Sequence, residues 1–440
     1  MGVDAPNPAR ARTLGRAGFT PHPLALDLAF YLACLAYAVA TAFTAEFYGF
    51  RMWGAFASAG YGLAALHTGW LLTRHREPGK RTHFLRSRRA GLAAIGVFAL
   101  LVPLAVLVVR RLTGVDWLIT PFSWAAQPEV WVIERSASLL LHHGTPYVDV
   151  TALGRPPVVN DYTPYGPVMA LFGLPRALFG GTAAGNALTD ARLVFAVTAV
   201  VCVWLTLRLL GRPRVPVRAA QLAMACPLTA LTWSVAGPDL AILGLLLVAG
   251  ALAATDRPVA SAIMLGLVVS AKLIVAPALV VLALLVLTRL GGRALARFAA
   301  AFLAAVALLN VPVLLVDPGA FVEHVLKFPA GLGVVTSPAA SPLPGYLLAS
   351  TGPAGKASAF LLLGAAAVAI LVWLVRRPPA TGSAAMLAIA AGLGAFTLLT
   401  PATRYGYLVY PLVLLGAMLC FRRAEAVPAS VPGFTSSSRG

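Results

Sequence analysis

Glu129 follows Pro128 at the head of "PEVWVIERSASLLLHHGTPY", a stretch that carries a helix break at its start and Gly144 near its end. Proline suits the opening of a helix, and a carboxylate in the first turn is favoured by the positive end of the helix dipole. That carboxylate is also ionised near neutral pH and able to accept a proton. Asn160 to Gly173 reads "NDYTPYGPVMALFG", with Asp161, Tyr162 and Tyr165 set among prolines directly before an apolar segment. An acid, aromatic faces and rigid irregular backbone suit the rim of a polar site, although tyrosines at headgroup height also serve as a plain interface belt. Lys272, Arg404, His324 and Lys327 are the cations best placed to hold an anion, with Arg135 and Arg192 as further candidates. Each has a bland alternative: snorkelling for Lys272, interface anchoring for Arg404, a solvated pair for His324 and Lys327. Asp239, opening a helix after "AGP", reads equally as a helix-start acid. His142 and His143 are adjacent, so they point to different faces and make no metal pair.

The elements that must position these residues are set by composition. Of 440 residues 59% are hydrophobic and 11% charged, against about a quarter charged in soluble domains. The chain therefore reads as an integral membrane protein, and its long apolar runs without strand alternation make it all-α. Helices are expected at 24–45, 53–73, 91–109, 187–210, 217–234, 238–254, 259–272, 274–289, 294–316, 357–376, 382–400 and 404–421, about twelve crossings in all. The formal charge of +19 implies no nucleic-acid partner here, because the basic residues cluster in short links such as "RHREPGKRTHFLRSRR", "RLLGRPRVPVR" and "FRRAE". That is positive-inside bias, and it puts the N-terminus in the cytoplasm. Arg110 and Arg111 are the exception, expected to snorkel or face lipid phosphates. Most carboxylates, Glu129, Asp161, Asp239 and Glu323 among them, then fall on the outer side, as do the two long polar intervals 110–186 and 317–356.

A lysine at the bilayer centre costs at least ~2.5 kcal/mol, so 259–289 is read as a hairpin with Lys272 near its outer turn. Segment 166–180 is too short to span and is expected to be interfacial or re-entrant. Within 128–143, Val130, Ile133, Ala137, Leu140 and Leu141 share a face that suits the membrane surface. Cys34, Cys202, Cys226 and Cys420 all lie in apolar runs, without ligand spacing. The layout is a basic cytoplasmic N-terminus (1–23), two extra N-terminal helices with a basic link (24–90), a core (91–421), and a Pro/Ser/Gly-rich disordered cytoplasmic tail (422–440).

The runs "EVWVIERSASLLLHHGTPY" and "DYTPYGPVMALFGLPRAL" resemble the first extracytoplasmic loop of the polyprenol-phosphate-mannose-dependent α-mannosyltransferases of the glycosyltransferase C superfold. "LVVSAKLIVAPALVVLALL" is similar to that family's lysine-then-proline hairpin, and "TPATRYGYLVYPLVLL" to its aromatic entry into a last helix. The resemblance covers about residues 91–421. It implies that Glu129 stands where the family has its catalytic Asp, as general base, with Asp116 in reserve. It also implies that Arg135, Tyr147, Asp161, Tyr162, Tyr165, Asp239, Lys272, His324, Lys327, Arg404 and Tyr405 bind substrate. The family usually has Tyr-Pro-Pro where this chain has "YTPYGP". No Asp-x-Asp motif occurs in the loop, so neither metal nor other cofactor is expected.

The resemblance implies an inverting glycosyltransferase that moves mannose or a related sugar from a polyprenyl-phosphate donor. The acceptor would be a glycolipid or cell-envelope glycan at the extracytoplasmic face of the plasma membrane, with membrane lipids as the remaining partners. Two other classes stay open: a secondary transporter or lipid flippase, and a non-catalytic membrane subunit. One broken hairpin, no repeat and charges at one rim argue against transport.

Overall fold

The computed structural model describes residues 22–73, 83–113 and 125–426. The expectations for the N-terminal tail up to residue 21, most of the basic link (74–82), Asp116 and the tail beyond 426 lie outside the described residues. Among the described residues there is no strand, only an isolated parallel bridge between Ala340 and Thr403.

Helix α1 (Pro23–Thr44) opens on a proline and forms a hairpin with α2 (Tyr48–Thr73). The two approach so closely that a Cβ on Gly54 would meet the backbone of Ala38 and Ala42. Helix α3 (Arg88–Ile95) passes through a π-helical stretch, Gly96–Leu101, into α4 (Val102–Val109). Pro103 has no N–H to give the carbonyl four residues back, which displaces the ladder there. That carbonyl belongs to Ala99, and Trp53 Nε1 of α2 donates to it at 2.9 Å.

Helix α5 (Pro128–His143) ends on Gly144 in the left-handed region (φ 71). The rim continues as a 3₁₀ stretch, Pro167–Gly173, then α6 (Leu174–Phe179), α7 (Ala183–Leu188) and α8 (Ala191–Leu209). Helix α9 (Val217–Ala220) runs into a second π stretch, Gln221–Ala225, ahead of Pro227 at the start of α10 (Pro227–Val235). Here Tyr61 of α2 donates to the Ala225 carbonyl at 2.8 Å. The α1–α2 hairpin thus seals both proline-disrupted ladders.

Helix α11 (Pro238–Ala254) meets α10 at a 113° bend through Gly237, whose φ is 86°. It is buried on every face, which an all-round apolar sequence requires. Against it pack α8, α12 (Pro258–Val269), α13 (Ala278–Leu290) and the last pair, α18 (Gly382–Leu399) and α19 (Val409–Glu425), while α14 (Gly292–Val316) packs on α12 and α13 and, after α15 (Pro318–Phe321) and α16 (Pro344–Ala349), α17 (Pro353–Arg376) packs on α18. Helix α12 runs alongside α14, with Gly266 against Ala305 and Ser270 accepting from Asn310 at 2.7 Å. Between α12 and α13 the chain breaks at Ser270–Lys272. The rim docks on that break, Gly166 N–H donating to Ala271 O (2.9 Å) and Val168 N–H to Ser270 O (3.2 Å).

By length and composition eight described helices are able to cross a membrane, or nine if the bent α10–α11 pair is one span. The protein is an all-helical polytopic membrane protein, but this count does not reach the expected twelve. Expected crossings at 53–73, 217–234 and 259–272 correspond to a Gly-, Tyr- and His-diluted α2, to a segment broken at Cys226–Pro227, and to the short α12. The expected surface face of α5 is also corrected. Val130, Ile133 and Ala137 are buried in protein, because Gly173 of the rim packs against Ile133 and Ala137.

The rim's close approach makes a prediction. A Cβ on Gly166 would stand 2.1 Å from the Ser270 carbonyl oxygen, so Gly166→Ala should lower stability by at least about 1–3 kcal/mol. Gly62→Ala, with open space around its Cβ, is the control. Thermal unfolding in detergent reads both, and equal midpoints would contradict the docking.

Candidate functional site

Five segments bring one polar cluster together. Asp239 comes from the first turn of α11, just past the Gly237 bend, and Lys272 from the break after α12. Lys272 Nζ is bonded to Asp239 Oδ1, and the Tyr410 hydroxyl donates to the same oxygen. The Lys272 ammonium also lies over three rings, Tyr407 at 5.2 Å, Tyr165 at 5.5 Å and Tyr410 at 5.9 Å. Such faces attract a cation. The Tyr165 hydroxyl then donates to Glu129 Oε2 at 3.2 Å, which ties the carboxylate of α5 to this centre.

Glu129 lies on a half-buried helix start outside the spanning helices. Desolvation holds its carboxyl above the ordinary glutamate value and the charge of Asp239 adds to this, while Lys272, Arg404 and the Tyr165 hydroxyl pull the other way. Arg404 is therefore near enough to act on Glu129 through its field. Its guanidinium is exposed and, among the described residues, has no carboxylate partner. A short strap fixes its backbone: Thr403 N–H donates to Ala339 O (3.1 Å), Ser341 N–H to Thr403 O (2.9 Å), and Tyr405 N–H to Ser341 Oγ (3.0 Å).

The other candidates do not join this cluster. Tyr147 stacks on His324 at 5.3 Å and Tyr162 on Phe328 at 4.1 Å, clasping the first long loop to the second. His324 is fully buried; its Nδ1 accepts from Thr163 N–H and its Nε2 donates to Val148 O, each at 2.8 Å. That pattern needs the neutral ring, and burial lowers its pKa further. The expected phosphate-holding cation is instead a structural clasp. Lys327 pairs with Glu323 at 3.5 Å, and Glu323 also accepts from Tyr162. Asp161 is held by Arg155 at 2.7 Å, which keeps its carboxyl below the usual range, and Arg135 donates to the Asp161 carbonyl at 2.9 Å. Tyr405 is 44% exposed and faces away from the cluster. Tyr407 and Tyr410 take the place expected of it; their spacing of three at a helix start was the available signal. Tyr147 does serve the site at one remove, donating to the Tyr165 carbonyl at 2.9 Å.

A buried four-charge network fixes α5. Arg111 donates to Glu134 through both terminal nitrogens at 2.8 Å and to Asp190 at 2.8 Å, while Arg192 chelates Asp190 and donates to the carbonyls of Ala125, Ser234 and Leu107. Gln127 N–H adds a bond to Val235 O at 3.0 Å. Arg111, expected to snorkel, is thus buried with two carboxylate partners. Arg110 lies over the Tyr48 ring at 3.8 Å. Among the described residues no group of three or more His, Cys, Asp or Glu is arranged to hold a metal ion.

The model of Glycosyltransferase family 87 matches residues 162–401, more than half of the chain. The chain belongs to glycosyltransferase family 87. The match makes it a membrane glycosyltransferase and favours transfer over transport. Tyr165, Asp239 and Lys272 lie inside the matched region of this family 87 chain, whereas Glu129, Arg404, Tyr407 and Tyr410 flank it. No curated protein matches the chain.

Breaking the α5 network should be costly. Glu134→Gln removes the charge of one of the two carboxylates that Arg111 holds at a buried position, with an expected loss of up to about 3–5 kcal/mol. The double change Arg111→Met with Glu134→Leu should cost less than the two single changes summed. Unfolding of the four proteins measures the coupling, and strict additivity would show that the pair contributes nothing as a pair.

Proposed function

We propose that this protein transfers mannose or a related hexose from a polyprenyl-phosphate carrier to a hydroxyl of a lipid-linked or cell-envelope glycan, with inversion at the anomeric carbon. The observation that supports it most is the Glu129 carboxylate, bonded to Tyr165 and within the fields of both Lys272 and Arg404. In the reaction the acceptor oxygen attacks the anomeric carbon, the bond from that carbon to the phosphate oxygen breaks, and the hydroxyl proton passes to Glu129. Polyprenyl phosphate leaves with the bonding electrons. Its charge needs a cation, and Arg404 is the one with an exposed guanidinium and no carboxylate partner among the described residues. Lys272, already bonded to Asp239, adds positive potential from a fixed position and holds Tyr165, Tyr407 and Tyr410 around it. Aromatic faces of this kind suit the apolar face of a sugar ring.

The experiment uses membranes containing the full chain and a set of labelled polyprenyl-phosphate sugars. Glu129→Gln should lower transfer by roughly 10² or more with donor binding retained. Arg404→Gln should raise the donor KM. Because a base must be ionised to act and burial raises the Glu129 pKa, the acid limb of kcat/KM should fall at a pH above that of an ordinary glutamate. Asp239→Asn removes a neighbouring negative charge and should shift this limb to lower pH. Parental transfer by Glu129→Gln, or no transfer from any polyprenyl-phosphate sugar, would overturn the assignment.

The same proposal puts the site on the extracytoplasmic face of the plasma membrane, supported by the basic links at the opposite end of the bundle. Ala152 is exposed in the loop that follows α5, while Cys34, Cys202 and Cys420 are buried. Ala152→Cys should therefore react with an impermeant maleimide in intact cells. Reaction only after permeabilisation would reverse the topology.

A further inference from the structure

The end of the bundle far from Glu129 carries a cavity of about 530 Å3 between α3 and the α9 segment. Arg89 at the cavity and Arg111 of the network that fixes α5 lie toward opposite ends of the α3–α4 segment, roughly 33 Å apart at helical rise. Leu92 and Gly96 form one wall, Ala220 and Met224 the other, and Arg89 and Arg214 stand at the mouth. Both walls run into π-helical stretches, Gly96–Leu101 and Gln221–Ala225, a departure that often marks functional positions.

The walls are held in register from behind by Asp27 of α1. It accepts from Arg88 at 2.5 and 2.8 Å and from Gln221 Nε2 at 2.9 Å, with Arg218 at 3.5 Å, so one buried carboxylate grips both sides of the cavity. Gln221 also donates to the Tyr31 hydroxyl at 3.2 Å. Arg88 is thereby paired, and Arg218 shares the same single carboxylate from a longer distance while also donating to Gln221. Among the described residues Arg89 and Arg214 have no carboxylate partner and are exposed. An apolar cleft with two unneutralised guanidinium groups at its mouth, in a membrane protein, matches the shape of an anionic lipid: a chain for the cleft and a phosphate for the arginines.

We propose that this cavity binds an anionic glycerophospholipid, with an acyl chain against Leu92, Gly96, Ala220 and Met224 and the phosphate between Arg89 and Arg214. A zwitterionic lipid offers the same phosphate but cancels its charge with its own ammonium group, leaving the positive charge of the two arginines uncompensated. A polyprenyl phosphate shares the phosphate, but as donor it is consumed at the other end of α3–α4. The α1–α2 hairpin, which lies outside the family match, then has a defined role, because Asp27 builds the lipid cleft.

Native mass spectrometry of the full chain in detergent, titrated with dioleoyl phosphatidylglycerol, dioleoyl phosphatidylcholine or undecaprenyl phosphate, tests this independently of any sugar transfer. Phosphatidylglycerol should bind in preference to the other two. The double variant Arg89→Gln, Arg214→Gln should lose at least ~10-fold in affinity for it, two cations being removed from the headgroup position. Gly96→Phe keeps both charges and projects into open space at the cavity wall, so it should also lose binding. Arg422→Gln with Arg423→Gln, a basic pair in the last turn of α19 outside the cavity, should not. Unchanged phosphatidylglycerol binding in the cavity variants overturns the proposal, as does an equal loss in the α19 variant or tighter binding of undecaprenyl phosphate. If the double arginine variant fails to fold, Gly96→Phe alone decides.

Discussion

The bond between Lys272 and Asp239 organises the protein around it. A charge among apolar helices is tolerated only with a partner, and here each residue is the other's. Both sit at helix interruptions: Asp239 in the first turn of α11 just past the Gly237 bend, Lys272 at the end of the break after α12. Two interrupted elements are therefore pinned to each other at their interruptions. Tyr410 shares the Asp239 oxygen, Tyr165 and Tyr407 close over the ammonium, and the last helix and the rim are drawn in by the same charge. The residues that satisfy the pair are those that bring Glu129 to it.

Irregular backbone within a membrane protein must find its hydrogen bonds inside the protein. The rim achieves this by giving two N–H groups to the carbonyls freed at Ser270 and Ala271, which is why Gly166 has no room for a side chain. The same constraint recurs beside the α1–α2 hairpin. Prolines 103 and 227 interrupt their helices, and Trp53 and Tyr61 of α2 supply donors to carbonyls just before them. An N-terminal hairpin that looks separable by composition is thus stitched to the core by polar atoms as well as by its apolar face.

Much of this was legible in the sequence wherever a local rule decides. Hydropathy gave the membrane class, the Lys272–Pro277 interval marked the broken helix, and Pro128–Glu129 marked a helix start. Pairing across distance was not legible. Arg111 read as an oddly placed basic residue because its partners, Glu134 and Asp190, are remote in sequence. His324 read as a cation because nothing local reveals that Thr163 and Val148 occupy both its nitrogens. At the start of the last helix Arg404 and Tyr405 drew attention, yet the helical phase turns Tyr407 and Tyr410 inward and Tyr405 outward. The described residues do not confirm twelve crossings by length and composition, because apolar length is a poor guide where a segment is glycine-rich or broken by proline.

The pinned pair also bears on the length of the side chain at position 129. The α5 start is fixed from behind, by Gln127 on Val235 and by Arg192 on Ala125, so it has little freedom to approach the Asp239–Lys272 centre. A longer side chain spans that interval and meets the Tyr165 hydroxyl. Its basicity is then set by opposed neighbours, with burial and Asp239 raising the pKa and Lys272 and Arg404 lowering it. Asp239 and Lys272 are bonded to each other and act on Glu129 in opposite directions, while Arg404 has no carboxylate partner among the described residues. When an anionic group approaches Arg404 its positive potential at Glu129 is compensated, and the carboxylate becomes a stronger base. Under the proposed function, binding of a phosphate-bearing donor and readiness to accept a proton would thus be linked through space, with no movement of the backbone.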